Sequence, residues 1–229
     1  MSADAPAPPA PPLLALMLVL SATTGLVDAV SVLGLGEVFT ANMTGNVVFL
    51  GFAIAGAPGF TPLPYIVALS AFMAGALMAG RIGVVWSAKS LRRWLLGAAA
   101  VEAALFWIAA LLAARMDVAA QAPEPARFGV IALTALAMGF RNATVRQLKV
   151  PDLTTTVLTL TITGIAADSR LAGGDRPNLA RRVGAVAAIF AGAMVGGALV
   201  LRFSLAPPLF LAGALVLLGT FLFAPKDPP

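Results

Sequence analysis

Six stretches of roughly twenty predominantly apolar residues follow one another along this chain, at about 13–36, 62–86, 91–114, 127–148, 183–203 and 207–224. A helix rises about 1.5 Å per residue, so each stretch is long enough to cross the roughly 30 Å hydrocarbon core of a bilayer. Two shorter apolar stretches lie at about 40–56 and 153–167. Inside lipid the backbone must satisfy its own hydrogen bonds, which leaves helices as the spanning element for stretches of this length. The composition agrees, with 60% hydrophobic and 11% charged residues, against about 25% charged in a soluble domain. The pattern predicts an all-α polytopic membrane protein. It has six transmembrane helices plus two short interrupted or re-entrant helical segments.

The first twelve residues carry five prolines and no lysine or arginine. Proline resists helix and supplies no backbone donor, so 1–12 reads as a disordered tail without the basic start of a cleavable signal. One membrane domain follows, in two parts at 13–115 and 127–224. The net charge of +5 sits in short loops between spans, where membrane topology explains it without a nucleic-acid partner. The chain has no cysteine and no histidine. Thiolate and imidazole chemistry, disulfides, haem ligation and metal sites built on nitrogen or sulfur are therefore closed to it. No cofactor, no metal and no enzymatic activity are expected.

The two parts resemble each other. Gly25-Leu26-Val27-Asp28-Ala29 recurs 114 positions later as Gly139-Phe140-Arg141-Asn142-Ala143. Each copy is followed by a hydroxyl- and amide-rich stretch: Thr40-Ala41-Asn42-Met43-Thr44-Gly45-Asn46 in the first, and Thr154 to Thr161 in the second. Further on, the run Ala71–Ala76 matches Ala188–Ala193. Duplicated halves with interrupted apolar segments in matching places point to a solute site near the bilayer midplane.

Arginines and lysines choose between two topologies. If all eight apolar segments span, the basic residues divide evenly between the faces. If 40–56 and 153–167 dip in and return, eleven share one face and only Arg115, Arg127 and Arg202 lie opposite. The bias favours the second arrangement, with the richer face and both termini cytoplasmic. Three spans per half then make the halves inverted relative to each other.

Asp28, near the middle of the first span, is a functional candidate by default, because a carboxylate at that depth is costly. It is a candidate proton carrier, or it pairs structurally with Arg141. Glu102, in the fourth apolar segment, is either a coupling acid or a bridge between helices. Asn42, Thr44 and Asn46 can replace water around a small solute, and Gly45 permits a broken backbone. Asn142, Thr155, Thr156 and Thr159 are the corresponding groups of the second half. The bland reading is that such threonines bond back to helix carbonyls and glue neighbouring helices. The stripes Gly75, Ala79, Gly80 and Gly192, Gly196, Gly197 read as close helix packing.

At Gly25–Ala29 with Ala41–Asn46, and again at Met138–Ala143 with Thr155–Thr159, the chain resembles the YoaK-type family of bacterial inner-membrane proteins. The resemblance spans about 13–224. It implies a six-helix membrane architecture and suggests a permease, with no assigned substrate. The sequence departs from that pattern at Arg141 and at Leu160.

The reading that follows is a multi-pass protein of the bacterial inner membrane acting as a small-solute permease or channel, with its polar site where the two halves meet. The alternative is a non-transporting scaffold or accessory subunit. The expected partners are the lipid bilayer and one unidentified small solute, with homo-oligomerisation left open and no nucleic acid.

Overall fold

The computed structural model describes residues 11–86, 90–148, 158–175 and 178–225. Eight α-helices occupy them: α1 (Pro11–Gly34), α2 (Met43–Ile54), α3 (Pro62–Trp86), α4 (Leu91–Ala113), α5 (Glu124–Gln147), α6 (Leu158–Ala167), α7 (Leu179–Arg202) and α8 (Ala206–Phe223). Six of these (α1, α3, α4, α5, α7 and α8) are long and apolar enough to cross a membrane. The expected six spans and two short helices are thus present, with boundaries within a few residues. The proline tail assigned to 1–12 lies outside the described residues except for Pro11 and Pro12. These two open α1 rather than precede it, because the first turn needs no proline amide.

Helix directions follow from which ends touch. Arg92 at the start of α4 donates to the carbonyls of Ala224 and Phe221 at the end of α8 (2.9 and 3.1 Å). Trp107, further along α4, donates to the Phe210 carbonyl near the start of α8 (3.2 Å). The two helices are therefore antiparallel. α1 is antiparallel to α8 as well, since Gly34 meets Leu205 and Gly219 meets Val19. It follows that α1 and α4 point the same way. With α3 alone crossing between them, α2 must leave the membrane on the side it entered. The same reasoning applies to α6, because α7 runs parallel to α1 and α3 parallel to α5, as their glycine contacts show. The six spans alternate in direction, and the halves run up-down-up and down-up-down.

The parallel pairs are held by glycines. A Cβ on Gly25 would strike the Ile189 carbonyl, and one on Gly192 would strike that of Ala22. On the other pair, Gly139 lies against the carbonyl of Phe72 and Gly75 against that of Leu136. Small residues let helix backbones approach closely where lipid offers no hydrophobic drive. The stripe reading holds for Gly75, Ala79, Gly192 and Gly196. Gly80 differs: a Cβ there would meet open space. The outer faces of α3 and α7 expose Met73, Leu77, Phe190 and Met194, as lipid-facing surfaces do.

The largest packing partners of α1, α3, α4, α5, α7 and α8 all lie in the other half of the chain. Within a half, α2 packs on α3 and α6 on α7. Phe49 of α2 joins Phe60, just before α3, and Tyr65 in its first turn, with ring centroids 5.4 and 5.8 Å away. Such aromatic pairs fasten the short helix along the N-terminal half of α3.

Candidate functional site

Three charged side chains lie in the middle of the spans: Asp28, Glu102 and Arg141. Arg141 and Glu102 face each other because α4 and α5 are antiparallel neighbours that bring the two positions to one depth. The Arg141 Nε donates to Glu102 Oε1 (2.5 Å), and Nη2 completes the ion pair. Nη1 donates to the Leu20 carbonyl (3.0 Å) and to the Thr24 hydroxyl (3.2 Å), both on α1. The Phe106 ring of α4 lies 5.7 Å from the guanidinium carbon, within the range of a cation–π contact. One guanidinium therefore ties three helices together, with Glu102 and Arg141 both buried. Charge-assisted hydrogen bonds of this kind are strong and geometrically specific. Of the two roles open to Glu102, the observed geometry is a bridge between helices. Arg141 pairs with Glu102 rather than with Asp28, the partner that the repeat suggests.

A narrow crevice of about 20 Å³ runs from this pair toward the end where Leu16, Leu95 and Leu148 lie, between α1, α4, α5 and α8. That volume is room for about one water. The opposite ends of α1 and α5 are closed: Leu26, Val30, Val130 and Ile131 are buried, and Leu205 is fully buried over Gly34.

Asp28 sits one turn above Thr24 on the same face of α1. Its carboxylate takes the backbone amide of Ala41, so the segment before α2 folds back to the depth of Asp28. The second oxygen, Oδ1, is sealed from solvent and has no hydrogen-bond partner among the described residues. The fold-back is fastened by Asn46. This fully buried amide accepts from the Phe39 backbone N–H (2.9 Å) and donates to the Phe39 carbonyl (2.5 Å). The amide and the carbonyl of Phe39, in the irregular segment, are thereby both satisfied at membrane depth, as lipid surroundings demand. Asn46 is a clip, and its amide is already engaged. Gly45, the proposed backbone break, lies inside α2, and the irregular backbone precedes it at Leu35–Asn42.

Among the described residues, the other sequence candidates do not line the crevice beside Glu102 and Arg141. Asn42 precedes α2, is exposed and makes no capping bond, and Thr44 is exposed. Asn142, half-buried, donates to the Met138 carbonyl one turn back (2.8 Å). Thr159 is exposed on α6, while Thr155 and Thr156 lie outside the described residues. Among the described residues, α2 packs chiefly on α3 and α6 on α7. Helix–helix hydroxyls elsewhere follow the bland reading: Ser21, Thr23, Thr134 and Thr144 bond to carbonyls three or four residues back. Sequence reasoning missed Thr24, although its spacing of four from Asp28 signals a shared face. Thr40, which heads the hydroxyl- and amide-rich stretch, has a fully buried hydroxyl with no partner among the described residues.

These features define a polytopic α-helical membrane protein with a re-entrant segment and a charged core. A family model described as a protein of unknown function (DUF1275) matches residues 16–222, and the chain belongs to that family. It is similar to the UPF0700 transmembrane protein YoaK of Bacillus subtilis (strain 168), at 32% identity over 158 residues. That match covers 67% of this chain and 65% of the relative. No solved structure matches.

Proposed function

We propose that the chain is a small-solute permease of the bacterial inner membrane, with both termini cytoplasmic and two halves that descend from an inverted duplication. The observation that carries this reading is the re-entrant segment: Ala41 folds back to Asp28 inside a bundle whose halves point in opposite directions. Irregular backbone at membrane depth persists where it lines a protein cavity or a solute path. The duplication is supported by the glycine contacts. Gly25 with Ile189 and Gly139 with Phe72 are related by the same 114- and 117-residue shifts that align the sequence. So are Gly192 with Ala22 and Gly75 with Leu136. The cytoplasmic assignment is supported by Arg81, Arg92, Arg93, Arg146, Arg181 and Arg182, which cluster at one end of the spans.

In this reading the crevice beside Glu102 and Arg141 is the cytoplasmic approach, and the packed end under Leu205 is the closed external gate. Asn42 and Thr44 contact the solute on one side, with Thr155, Thr156 and Thr159 as their counterparts. Nothing in this scheme requires bond chemistry on the solute.

Liposomes carrying the purified protein test the reading, with light scattering to follow osmotic swelling across a panel of small neutral and charged solutes. At least one solute should enter faster than into empty liposomes and should protect a cysteine introduced by Thr44→Cys from thiol labelling. If no solute is admitted and none protects that position, the permease reading fails. The internal engagement of Asn46, Glu102 and Arg141 favours the alternative of a non-transporting scaffold. That alternative predicts folding defects alone from Asn42→Ala and Thr44→Ala.

A further inference from the structure

Among the described residues, the charges inside the bundle do not balance. Asp28 and Glu102 are two carboxylates and Arg141 is one guanidinium. Glu102 and the α1 groups Leu20 and Thr24 take up the hydrogen bonds recorded for Arg141. Around Asp28 the neighbouring elements offer little else. Arg141 on α5 acts on it only at a distance. The central parts of α7 and α8 carry no charged side chain, α2 carries none, and Glu37 in the loop is exposed. The N-terminal end of α2 lies nearby and contributes a partial positive charge of about one half. That softens a full negative charge without cancelling it, and a net charge at this depth is expensive.

Two buried oxygens mark where the missing charge belongs. Asp28 Oδ1 is sealed and has no partner among the described residues, and the same holds for the hydroxyl of Thr40. Thr40 directly precedes Ala41, whose amide takes the carboxylate. Buried polar atoms in native proteins are nearly always satisfied, so each orphan calls for a partner the protein chain does not provide. A carboxylate oxygen and a hydroxyl oxygen form a hard-oxygen donor set, suited to a small hard cation or to a proton carried on the carboxylate.

We propose that Asp28, with the hydroxyl of Thr40 from the residue before Ala41, binds a single monovalent positive charge at the root of the re-entrant segment, either Na⁺ or a proton. Binding restores neutrality to the core and holds the Leu35–Asn42 fold-back against α1. The charge argument stands without the permease reading. Only the further role of this charge as the coupling ion rests on that reading.

The test uses the full-length protein in detergent, with thermal unfolding followed in choline buffer at high pH. Na⁺ is then titrated in, with K⁺ as the comparison, and in a separate series the pH is lowered. Anything that binds the native state raises its stability in a saturable way. A Na⁺ cargo raises the melting temperature by several degrees with saturation, and Thr40→Val weakens that response at least tenfold. A proton leaves Na⁺ without effect but gives an acid-dependent rise and an infrared carboxyl band, both lost in Asp28→Asn. In either case Asp28→Asn no longer responds and is as stable as the charged-and-bound wild type. If Asp28→Asn does not fold, the Na⁺ series with Thr40→Val and the wild-type infrared band still decide. Absence of a Na⁺ response, of an acid response and of a carboxyl band together overturns the proposal. Liposome flux is read separately: cation binding without solute movement removes the permease reading and leaves this site intact.

Discussion

Gly139 of α5 lies so close to the carbonyl of Phe72 on α3 that no side chain fits between the two backbones. Gly25 and Ile189 repeat the relationship on α1 and α7. Two parallel helix pairs therefore depend on positions where a single methyl group is too much.

Replacing Gly25 or Gly139 by alanine should cost about 1–3 kcal/mol each, the usual range for overpacking a tight contact. Gly80→Ala should be neutral, because its Cβ would project into open space. Thermal unfolding in detergent compares the three directly. Equal stability for all of them would mean the close approach is not what holds these pairs.

Glu102→Leu and Arg141→Leu should each destabilise by about 3–5 kcal/mol, since either leaves a buried charge without its partner. The double variant should recover most of that loss, as apolar replacements of buried ion pairs often do. A double-mutant cycle on melting temperatures measures the coupling. Additive losses would show that the two side chains act independently.

Asn46→Ala leaves the Phe39 amide and carbonyl without their side-chain partner, at about 1–3 kcal/mol for buried groups left unpaired. Asn42→Ala, on an exposed residue that makes no cap bond, should cost much less. Limited proteolysis of the Leu35–Asn42 segment checks the difference, with faster cleavage expected only in the Asn46 variant.

The chain has no cysteine, so single cysteines report sidedness cleanly. Thr61 and Leu171 are exposed and lie outside the spans. Gly59 and Gly173 serve less well, because their positive φ angles of 86° and 81° disfavour a side chain. A membrane-impermeant thiol reagent on intact cells should label Thr61→Cys and spare Leu171→Cys. The reverse pattern would invert the orientation, and equal labelling would place both loops on one face.

Much of this architecture was legible from the sequence, and the limits are physical. Apolar length alone locates the six spans, because the bilayer imposes one dimension on every crossing. The uneven distribution of arginine and lysine suggested that two segments do not cross, and the antiparallel contacts of α4 and α8 arrive at the same arrangement by geometry. Partnership between distant helices was not legible. The repeat set Arg141 beside the counterpart of Asp28, which made Asp28 its natural partner. The actual partner, Glu102, is chosen by the register of α4 against α5. The role of Asn46 was illegible for a related reason. A buried amide looks the same whether it meets a solute or a turn of its own backbone, and the fold-back to Phe39 leaves no periodic trace.

The interlocked halves also set a schedule for synthesis. α1 ends at Gly34, and its main partner α7 does not begin until Leu179. At ribosomal speeds of about 5–20 residues per second, that interval lasts on the order of ten seconds. Throughout it the first helix waits in the membrane with its glycine face uncovered and Asp28 aboard. Half of this protein made alone would lack the surfaces that its helices are shaped to meet.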